Sequence, residues 1–261
     1  MSELVRVETQ ERVTTVTLNR PEVRNALSHA LRCDIARTFD ALSEEPGTGA
    51  IVLTGAGQAF SAGIDLKELG SQGPEEGGAG ELAPEEDPIR AMERCPKPII
   101  GAIHGYAITG GFELALACDV LIGSPRARFA DTHARVGILP GWGLSQKLPR
   151  LIGTQRAKLV SLTGNFVDAE TAERWGLLVR VVPAEELLEA ARQIARDMLS
   201  CVPEAMLSYK RLIDDGLALP YGAARELERQ RSREHVKGVR AEDVAARRAG
   251  IQARGRSQAD G

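Results

Sequence analysis

Two adjacent glycines carry the clearest chemical signal in this sequence. Gly110 and Gly111 follow the β-branched run at 98–103, which predicts a buried strand, and precede the apolar stretch at 112–118, which predicts a helix. Backbone N–H groups at a helix start have no intrahelical acceptor and lie at the positive end of the helix dipole. This turn can therefore bind an anion or an oxyanion that develops during a reaction.

Glu113 lies in the first turn of the same predicted helix. Burying a carboxylate in an otherwise apolar helix is costly, so this residue has either a chemical role or a favourable interaction with the helix dipole. Taken alone, the residues leave both interpretations open.

Composition restricts the class of protein. With 261 residues, 43% hydrophobic and 26% charged, the chain predicts a soluble globular protein with one large core, or one core and a small subdomain. A net charge of -3 and 4% aromatic residues argue against a nucleic-acid partner. We expect a cytoplasmic protein without a membrane partner, since no apolar run suits a bilayer and no signal peptide is recognisable. The four cysteines lack the spacing of a zinc site or disulfide framework.

The elements that must position the glycine turn are short strands and helices in alternation. Residues 5–18 predict a two-stranded hairpin, 28–42 a half-buried helix and 50–54 a buried strand. The stretch at 70–87 is rich in Gly, Pro and acidic residues and predicts a mobile surface loop. From residue 184 onward, helix follows helix, and arginines interleaved with acids predict solvated, ion-paired surfaces rather than an RNA-binding tail.

A dinucleotide-binding loop is not supported. Gly55 and Gly57 follow a predicted strand, but the third glycine of that fingerprint falls on Phe60 and no regular helix pattern follows. No Gly-Lys-Ser/Thr sequence marks a Walker-type phosphate loop. Ala62 and Gly63 instead predict a small-residue turn whose N–H groups can approach a ligand closely.

A hydrolase triad of Ser61, His104 and Asp119 is also disfavoured. Ser61 lacks the Gly-x-Ser-x-Gly elbow that exposes a nucleophilic serine.

Five stretches together resemble the crotonase (enoyl-CoA hydratase/isomerase) superfamily. They are residues 19–27, 59–67, 104–119, 129–143 and 169–178, which follow the order of that family and span most of residues 13–182. The resemblance implies an α/β fold built as a spiral of β-β-α units, with two stacked sheets ringed by helices. It also implies an acyl-CoA-binding core at 1–195 and a helical region at 196–261 that mediates homotrimers, often paired into hexamers.

The resemblance also implies the reacting groups. In that family two backbone N–H groups hold the thioester oxygen of an acyl-CoA, and by match these belong here to Ala62 and Gly110. Such donors stabilise an enolate as charge moves onto the thioester oxygen. Glu113 matches a catalytic glutamate that activates water or returns a proton. No metal or redox cofactor is implied, because CoA is part of the substrate.

Further positions match segments that line the CoA groove in the family. These are Val23, Arg24, Ala26, Gly63, Ile64, Asp65 and Leu66. Arg24 and Lys67 are candidates for CoA phosphates or are solvated charges, and Asp65 is expected to fix the turn by bonding backbone N–H groups. Trp142 is expected to form part of the pocket wall.

The second hydratase glutamate of the family falls here on His133. Three interpretations stay open. His133 can hold water or supply the proton of the α-carbon, because its unperturbed pKa is near neutral. Asp131, two residues earlier on an expected strand edge, can supply the second carboxylate or orient the imidazole. Alternatively both are polar loop residues, and the site has one acid/base group.

These features predict an enoyl-CoA hydratase that adds water across the 2,3 double bond of an enoyl-CoA. One alternative is an acyl-CoA-binding protein that has the pocket without the turnover. Another is an enoyl-CoA isomerase, which moves a double bond by taking and returning one proton.

Overall fold

Ten strands form two sheets in this computed structural model, which describes residues 4–74, 83–84 and 86–259. The strands are β1 (Val5–Gln10), β2 (Val13–Leu18), β3 (Ala50–Gly55), β4 (Ala59–Ser61), β5 (Ile99–Ile103), β6 (Tyr106–Ile108), β7 (Val120–Gly123), β8 (Arg128–Ala130), β9 (Val167–Asp168) and β10 (Arg180–Val181). The larger sheet has the order β1-β2-β3-β5-β7-β10, and the smaller has the order β4-β6-β8-β9.

The described residues also form helices. They are α1 (His29–Glu44), α2 (Leu66–Pro74), α3 (Pro88–Arg94), α4 (Gly110–Leu116), α5 (His133–Val136), α6 (Leu144–Ile152), α7 (Thr154–Thr163), α8 (Ala169–Trp175), α9 (Leu187–Leu199), α10 (Pro203–Leu217), α11 (Tyr221–Val236) and α12 (Ala241–Ala259), with a short 3-10 turn at Pro21–Val23. The chain divides into two units, Met1–Leu207 and Ser208–Gly261.

Consecutive strands alternate between the two sheets. The pairs β3-β4, β5-β6 and β7-β8 each contribute their first strand to the larger sheet and their second to the smaller, and a helix follows each pair. Apart from the antiparallel pairs β1-β2 and β8-β9, neighbouring strands are parallel. This confirms the predicted α/β spiral of β-β-α units, and it places the ends of β4 and β6 side by side.

The main core lies against the inner faces of these strands. Its largest fully buried side chains include Phe39, Phe60, Phe112 and Phe129, and the rings of the last two lie 5.2 Å apart. Burying such a side chain contributes about 1.5–3 kcal/mol. A second cluster, centred on Val52 and the small residues of α9, covers the other face of the larger sheet. The central strands of the larger sheet are thus fixed by packing on both faces.

Sequence patterns located most elements but misjudged three features. The predicted loop at 70–87 is helical up to Pro74, and residues 75–82 and 85 of that prediction lie outside the described part of the chain. The short strand β6 intervenes between β5 and the glycine turn. Asp131 and His133 are not on a strand edge, because β8 ends at Ala130 and His133 begins α5.

The carboxy-terminal unit consists of the end of α10 with α11 and α12. Its arginines form ion pairs, including Arg231 with Asp215 at 2.5 Å and Arg229 with Glu226 at 3.2 Å, as the interleaved charges predicted. The structure divides the chain after Leu207, whereas the sequence-based boundary after residue 195 falls within α9. Among the described residues, no helix has the length and hydrophobicity of a membrane span.

Candidate active site

Two glycines allow the end of β4 to lie directly against the start of α4. Gly63 has φ +87°, and a Cβ there would lie 2.5 Å from the Ile108 carbonyl oxygen. A Cβ on Gly111 would lie 2.4 Å from the carbonyl oxygen of Ser61. Since real side chains cannot approach backbone so closely, glycine is required at both positions. The turn after β4 therefore meets the amino terminus of α4 without an intervening side chain.

The backbone nitrogens of Ile64 and Gly110 lie close together at this contact. A Cβ on Gly110 would lie 3.4 Å from the Ile64 nitrogen, and one on Gly63 would lie 3.2 Å from the Gly110 nitrogen. Among the described residues, neither N–H group has an acceptor within hydrogen-bonding distance. Gly110 is buried and Ile64 is half-buried, and two adjacent backbone donors left without acceptors in the described part of the chain can together bind an oxyanion.

The structure corrects the predicted role of Ala62. Its N–H group donates to the carbonyl oxygen of Arg24 at 2.9 Å, so this amide is not free to bind a thioester oxygen. The amide that lies beside that of Gly110 is instead the amide of Ile64, which the sequence analysis assigned only to the CoA groove. The glycine turn at Gly63 was the available signal, because a left-handed residue reverses the direction in which the next amide points.

Glu113 is held at the site by backbone donors. Its Oε1 accepts from the N–H groups of Trp142 at 2.9 Å and Leu144 at 3.4 Å. Burial raises the pKa of the Glu113 carboxyl above its ordinary value, although His133 and the two N–H groups oppose this shift. A carboxyl group with such a pKa can exchange protons nearer to neutral pH. Its other oxygen, Oε2, faces His133.

His133 lies between two carboxylates. Its Nδ1 is 2.7 Å from Oδ1 of Asp131, and its Nε2 is 3.6 Å from Oε2 of Glu113. The backbone N–H of His133 also donates to Asp131 Oδ1 at 3.1 Å. Glu113 and Asp131 are each 2% exposed and His133 is 5% exposed, so the three groups are shielded from bulk water. The two residues matched to the second acid/base position thus form one unit with Glu113.

Asp131 has the charge needed to orient the imidazole. Burial by itself raises the pKa of this carboxyl, but hydrogen bonds from the His133 ring, the Ser161 hydroxyl and the His133 amide outweigh burial and lower the pKa below its ordinary value. An ionised carboxylate only accepts hydrogen bonds, so Nδ1 of His133 is the donor in this pair. Nε2 is therefore the imidazole nitrogen that is directed toward Glu113.

The segments assigned to the CoA groove lie beside this site. Leu27 pairs with Ile64 in a parallel bridge, which sets residues 23–26 alongside residues 62–65. Val23 and Ala26 are half-buried, whereas Arg24, Leu66 and Lys67 are exposed. Between them, Asn25 is fully buried and donates to the carbonyl oxygens of Ala56 at 2.9 Å and Ala59 at 2.8 Å, which fixes the turn.

Asp65 has the structural role expected of it. Its Oδ1 accepts from the Lys67 N–H at 3.2 Å at the start of α2, and its Oδ2 lies 3.3 Å from the Arg20 guanidinium. Trp142 contributes both the backbone donor to Glu113 and an indole ring whose Cζ3 would lie 3.4 Å from a Cβ on Gly110. This ring forms a wall beside the oxyanion donors, as predicted.

The residues of the disfavoured triad have separate structural roles. Ser61 donates through its hydroxyl to the Asn25 carbonyl oxygen at 2.8 Å, and Asp119 accepts from the Ile99 N–H at 2.7 Å. Elsewhere, His29, Cys33 and Glu86 have potential metal-ligand atoms within 4.8 Å of one another. His29 Nε2 and Glu86 already form a contact of 3.2 Å, and this group is on the surface and does not include the buried acid/base residues.

Comparison with known proteins agrees with this arrangement. The model of the enoyl-CoA hydratase/isomerase family matches residues 8–251. The sequence is 41% identical over 244 residues to a probable peroxisomal enoyl-CoA hydratase 1 of Arabidopsis thaliana, covering 93% of this chain and 90% of the relative. An enoyl-CoA hydratase structure from Bacillus anthracis is 34% identical with a TM-score of 0.85, covering 97% of this chain and 96% of that one. One from Mycobacterium avium is 42% identical with a TM-score of 0.72, covering 88% and 99%.

Proposed function

This chain belongs to the enoyl-CoA hydratase/isomerase family and is an enoyl-CoA hydratase, and we propose that Glu113, His133 and the amides of Ile64 and Gly110 carry out its reaction. The observation that carries the proposal is a buried carboxyl–imidazole pair beside two backbone donors that have no acceptor among the described residues. The isomerase alternative is not favoured, because the relatives described above are named hydratases.

The two amides bind the thioester oxygen of the enoyl-CoA. When the oxygen of water bonds to the β-carbon, the electrons of the 2,3 double bond move toward the thioester and leave negative charge on its oxygen. The N–H groups of Ile64 and Gly110 are in place before that charge forms, so they stabilise the enolate more than the substrate. Removing one such donor typically costs ~2.7–4 kcal/mol of transition-state stabilisation.

Glu113 and His133 divide the proton transfers. Oε2 of Glu113 accepts a proton from water as water attacks the β-carbon. Nε2 of His133 then donates a proton to the α-carbon when the enolate collapses to the 3-hydroxyacyl-CoA. Asp131 stabilises the imidazolium before the transfer and fixes Nδ1 as a donor. The 3.6 Å separation of Oε2 and Nε2 then lets the proton on Glu113 return to His133, which restores the site.

CoA is part of the substrate, and the proposed reaction requires no metal or redox cofactor. The segments at 23–26 and 63–66 are proposed to bind the CoA portion, with Arg24 and Lys67 exposed at the surface where phosphates can reach them. This assignment is supported by the parallel bridge that places both segments beside the oxyanion donors.

We also propose that the protein assembles as a homotrimer, or as a pair of trimers, and that it is located in the cytoplasm. In the carboxy-terminal unit, α10 and α11 expose the apolar side chains of Tyr209, Ile213, Leu217 and Tyr221. Exposed apolar surface of this kind is typical of contacts between subunits. Light scattering measures the mass of the assembly, and cell fractionation tests the location, which is peroxisomal by name for the Arabidopsis relative.

The decisive experiment measures hydration of crotonyl-CoA through loss of enoyl absorbance, with binding measured separately by calorimetry. We expect turnover by the wild type and a loss of about 10²–10⁴-fold in kcat for Glu113→Gln. Glu173→Gln is the matched control, because Glu173 also accepts a backbone N–H, that of Val181 at 2.7 Å, but lies outside the site. Binding of crotonyl-CoA without turnover by the wild type would instead identify an acyl-CoA-binding protein.

A further inference from the structure

Thr109 has an unusual backbone conformation immediately before the oxyanion donor Gly110. Its φ is 52° and its ψ is -109°. This region is sparsely populated by residues with side chains, and least by β-branched ones, because their Cβ atoms clash with the backbone. Such a conformation persists only where surrounding contacts hold it in place. The contacts around Thr109 therefore reveal what fixes the Gly110 amide.

Three hydrogen bonds connect Thr109 to the segment that carries His133. The Thr109 N–H donates to the carbonyl oxygen of Ala130 at 2.8 Å. Its Oγ1 accepts from the N–H of Thr132 at 3.0 Å and lies 2.5 Å from the Thr132 hydroxyl. Thr109 is 7% exposed, so water competes little for these bonds. The residue before the oxyanion donor is thus bound to the residue before the imidazole.

The paired hydroxyl groups of Thr109 and Thr132 fix the orientation of both the Gly110 amide and the backbone that leads into His133. The ψ angle of Thr109 sets the plane of the peptide that carries the Gly110 N–H, and the backbone of Thr132 leads directly into His133. If backbone stability were the sole requirement, glycine would adopt the conformation at position 109 without strain. The threonine instead supplies a hydroxyl that glycine lacks, and the bonds of that hydroxyl join the two halves of the site.

We propose that Thr109 and Thr132 are positioning residues of the hydration reaction, whose paired hydroxyl groups hold the Gly110 amide and the His133 imidazole at a fixed separation. Neither side chain takes part in proton transfer. The inference rests on the proposed function, because it assigns the two aligned groups to one reaction. Small displacements of reacting groups cost up to about 100-fold in rate, so loss of the pair acts on the chemical step.

The test compares Thr132→Val, which keeps the shape and removes the hydroxyl, with Thr132→Ser, which keeps the hydroxyl. We expect Thr132→Val to lower kcat for crotonyl-CoA by about 10- to 100-fold with little change in KM, and Thr132→Ser to restore most of it. Thr109→Gly, which relieves strain but removes the hydroxyl, should also lower kcat, and its melting temperature shows whether the fold is retained. Thr38→Val is the control, because the Thr38 hydroxyl donates to Asp34 O at 2.7 Å in α1, away from the site.

A spectroscopic measurement separates this inference from the proposed function. The absorbance of a bound conjugated dienoyl-CoA shifts to the red as its thioester carbonyl is polarised, whether or not hydration follows. We expect a smaller shift in Thr132→Val than in the wild type, and recovery in Thr132→Ser. If the wild type did not hydrate crotonyl-CoA, the proposed function would be wrong. The red shift of bound dienoyl-CoA would still test whether the hydroxyl groups of Thr109 and Thr132 position the Gly110 amide. An unchanged shift and unchanged kcat in Thr132→Val, or equal losses in Thr132→Val and Thr132→Ser, would overturn the positioning role.

Discussion

Nε2 of His133 lies 3.6 Å from Oε2 of Glu113, which is slightly too long for a direct hydrogen bond and short enough for both atoms to contact one water molecule or one substrate carbon. Oε1 of Glu113 is already bound by the Trp142 and Leu144 amides, so Oε2 is the oxygen left for chemistry. The resulting arrangement is asymmetric. One reacting group is anchored by backbone donors, and the other is anchored by the Asp131 carboxylate.

Replacing Asp131 tests whether the imidazole depends on its carboxylate. Asp131→Asn keeps the size of the side chain but removes the negative charge that stabilises the imidazolium and fixes its Nδ1 proton. We expect kcat to fall by about 10²-fold or more, with a smaller change in KM. The measurement is steady-state hydration of crotonyl-CoA.

The control for this variant is Asp168→Asn. Asp168 also accepts a backbone N–H, that of Thr171 at 2.8 Å, but it caps α8 on the surface. The Asp168→Asn enzyme should retain the kcat of the wild type. A fully active Asp131→Asn enzyme would show that the imidazole does not use this carboxylate.

The pH dependence of kcat/KM should report the Glu113 carboxyl. Burial raises the pKa of Glu113, and the reaction requires its ionised form to accept a proton from water. Activity should therefore be lost, as the pH falls, at a higher pH than the ordinary glutamate value would give. The profile is measured with crotonyl-CoA at substrate concentrations below KM. An acidic limb at or below the ordinary glutamate pKa would contradict the assignment of Glu113 as the base.

The raised pKa of Glu113 also predicts that its ionised carboxylate lowers the free energy of unfolding near neutral pH. Because the folded-state pKa of Glu113 lies above its unfolded value, its stabilising contribution is complete below the unfolded pKa and is lost as the pH rises through the folded pKa. Glu113→Gln is neutral at every pH, so it should unfold at a higher temperature than the wild type near neutral pH. Each kcal/mol corresponds to about 2–4 °C for a chain of this size.

The increase should disappear in acid, where Glu113 is protonated in both states. Thermal unfolding at equal protein concentration and two pH values provides the measurement, because assembly makes melting temperatures depend on concentration. Glu173→Gln should show no comparable pH-dependent increase. At each pH the quantity compared is the melting temperature of Glu113→Gln minus that of the wild type. A smaller difference at neutral pH than in acid would contradict the raised pKa of Glu113.

Periodicity in the sequence predicted individual elements, whereas the spiral of β-β-α units was predicted from the resemblance to the family. Leu31, Ile35, Phe39 and Leu42 recur at helical spacing, and all four are buried on α1. The glycine turn was likewise predicted from residue type, because two glycines separate a β-branched run from an apolar stretch, whereas the role of Glu113 was predicted from the resemblance to the family. Strand β6 was missed because its three residues are too few to show an alternation.

The geometry of the site depended on contacts that no local pattern encodes. Ala62 and Ile64 are two residues apart, and the left-handed Gly63 between them gives their amides different partners. Asp131 and His133 were expected to meet across alternate positions of a strand. They meet instead because α5 begins at His133 and both its amide and its ring reach one carboxylate oxygen. Thr109 carried no signal, since its conformation is imposed by Ala130 and Thr132.

Removing the Ile64 amide tests which backbone donor binds the thioester. Ile64→Pro eliminates the N–H and leaves the neighbouring bridge intact, because that bridge uses the Leu27 and Asp65 amides and not that of Ile64. We expect a loss in kcat equivalent to ~2.7–4 kcal/mol, about 10²–10³-fold. Thr154→Pro is the matched control, because Thr154 also follows a left-handed glycine, is exposed, and begins α7, where proline is tolerated.

Calorimetric binding of a saturated acyl-CoA and the melting temperature distinguish a lost donor from a disrupted fold. A folded Ile64→Pro enzyme with reduced turnover and a smaller red shift of bound dienoyl-CoA would support Ile64 as the donor. A folded Ile64→Pro enzyme with the kcat of the wild type would exclude it. In that case the enolate must be stabilised by Gly110 alone or by a group outside this turn, because the Ala62 amide is already bonded to Arg24.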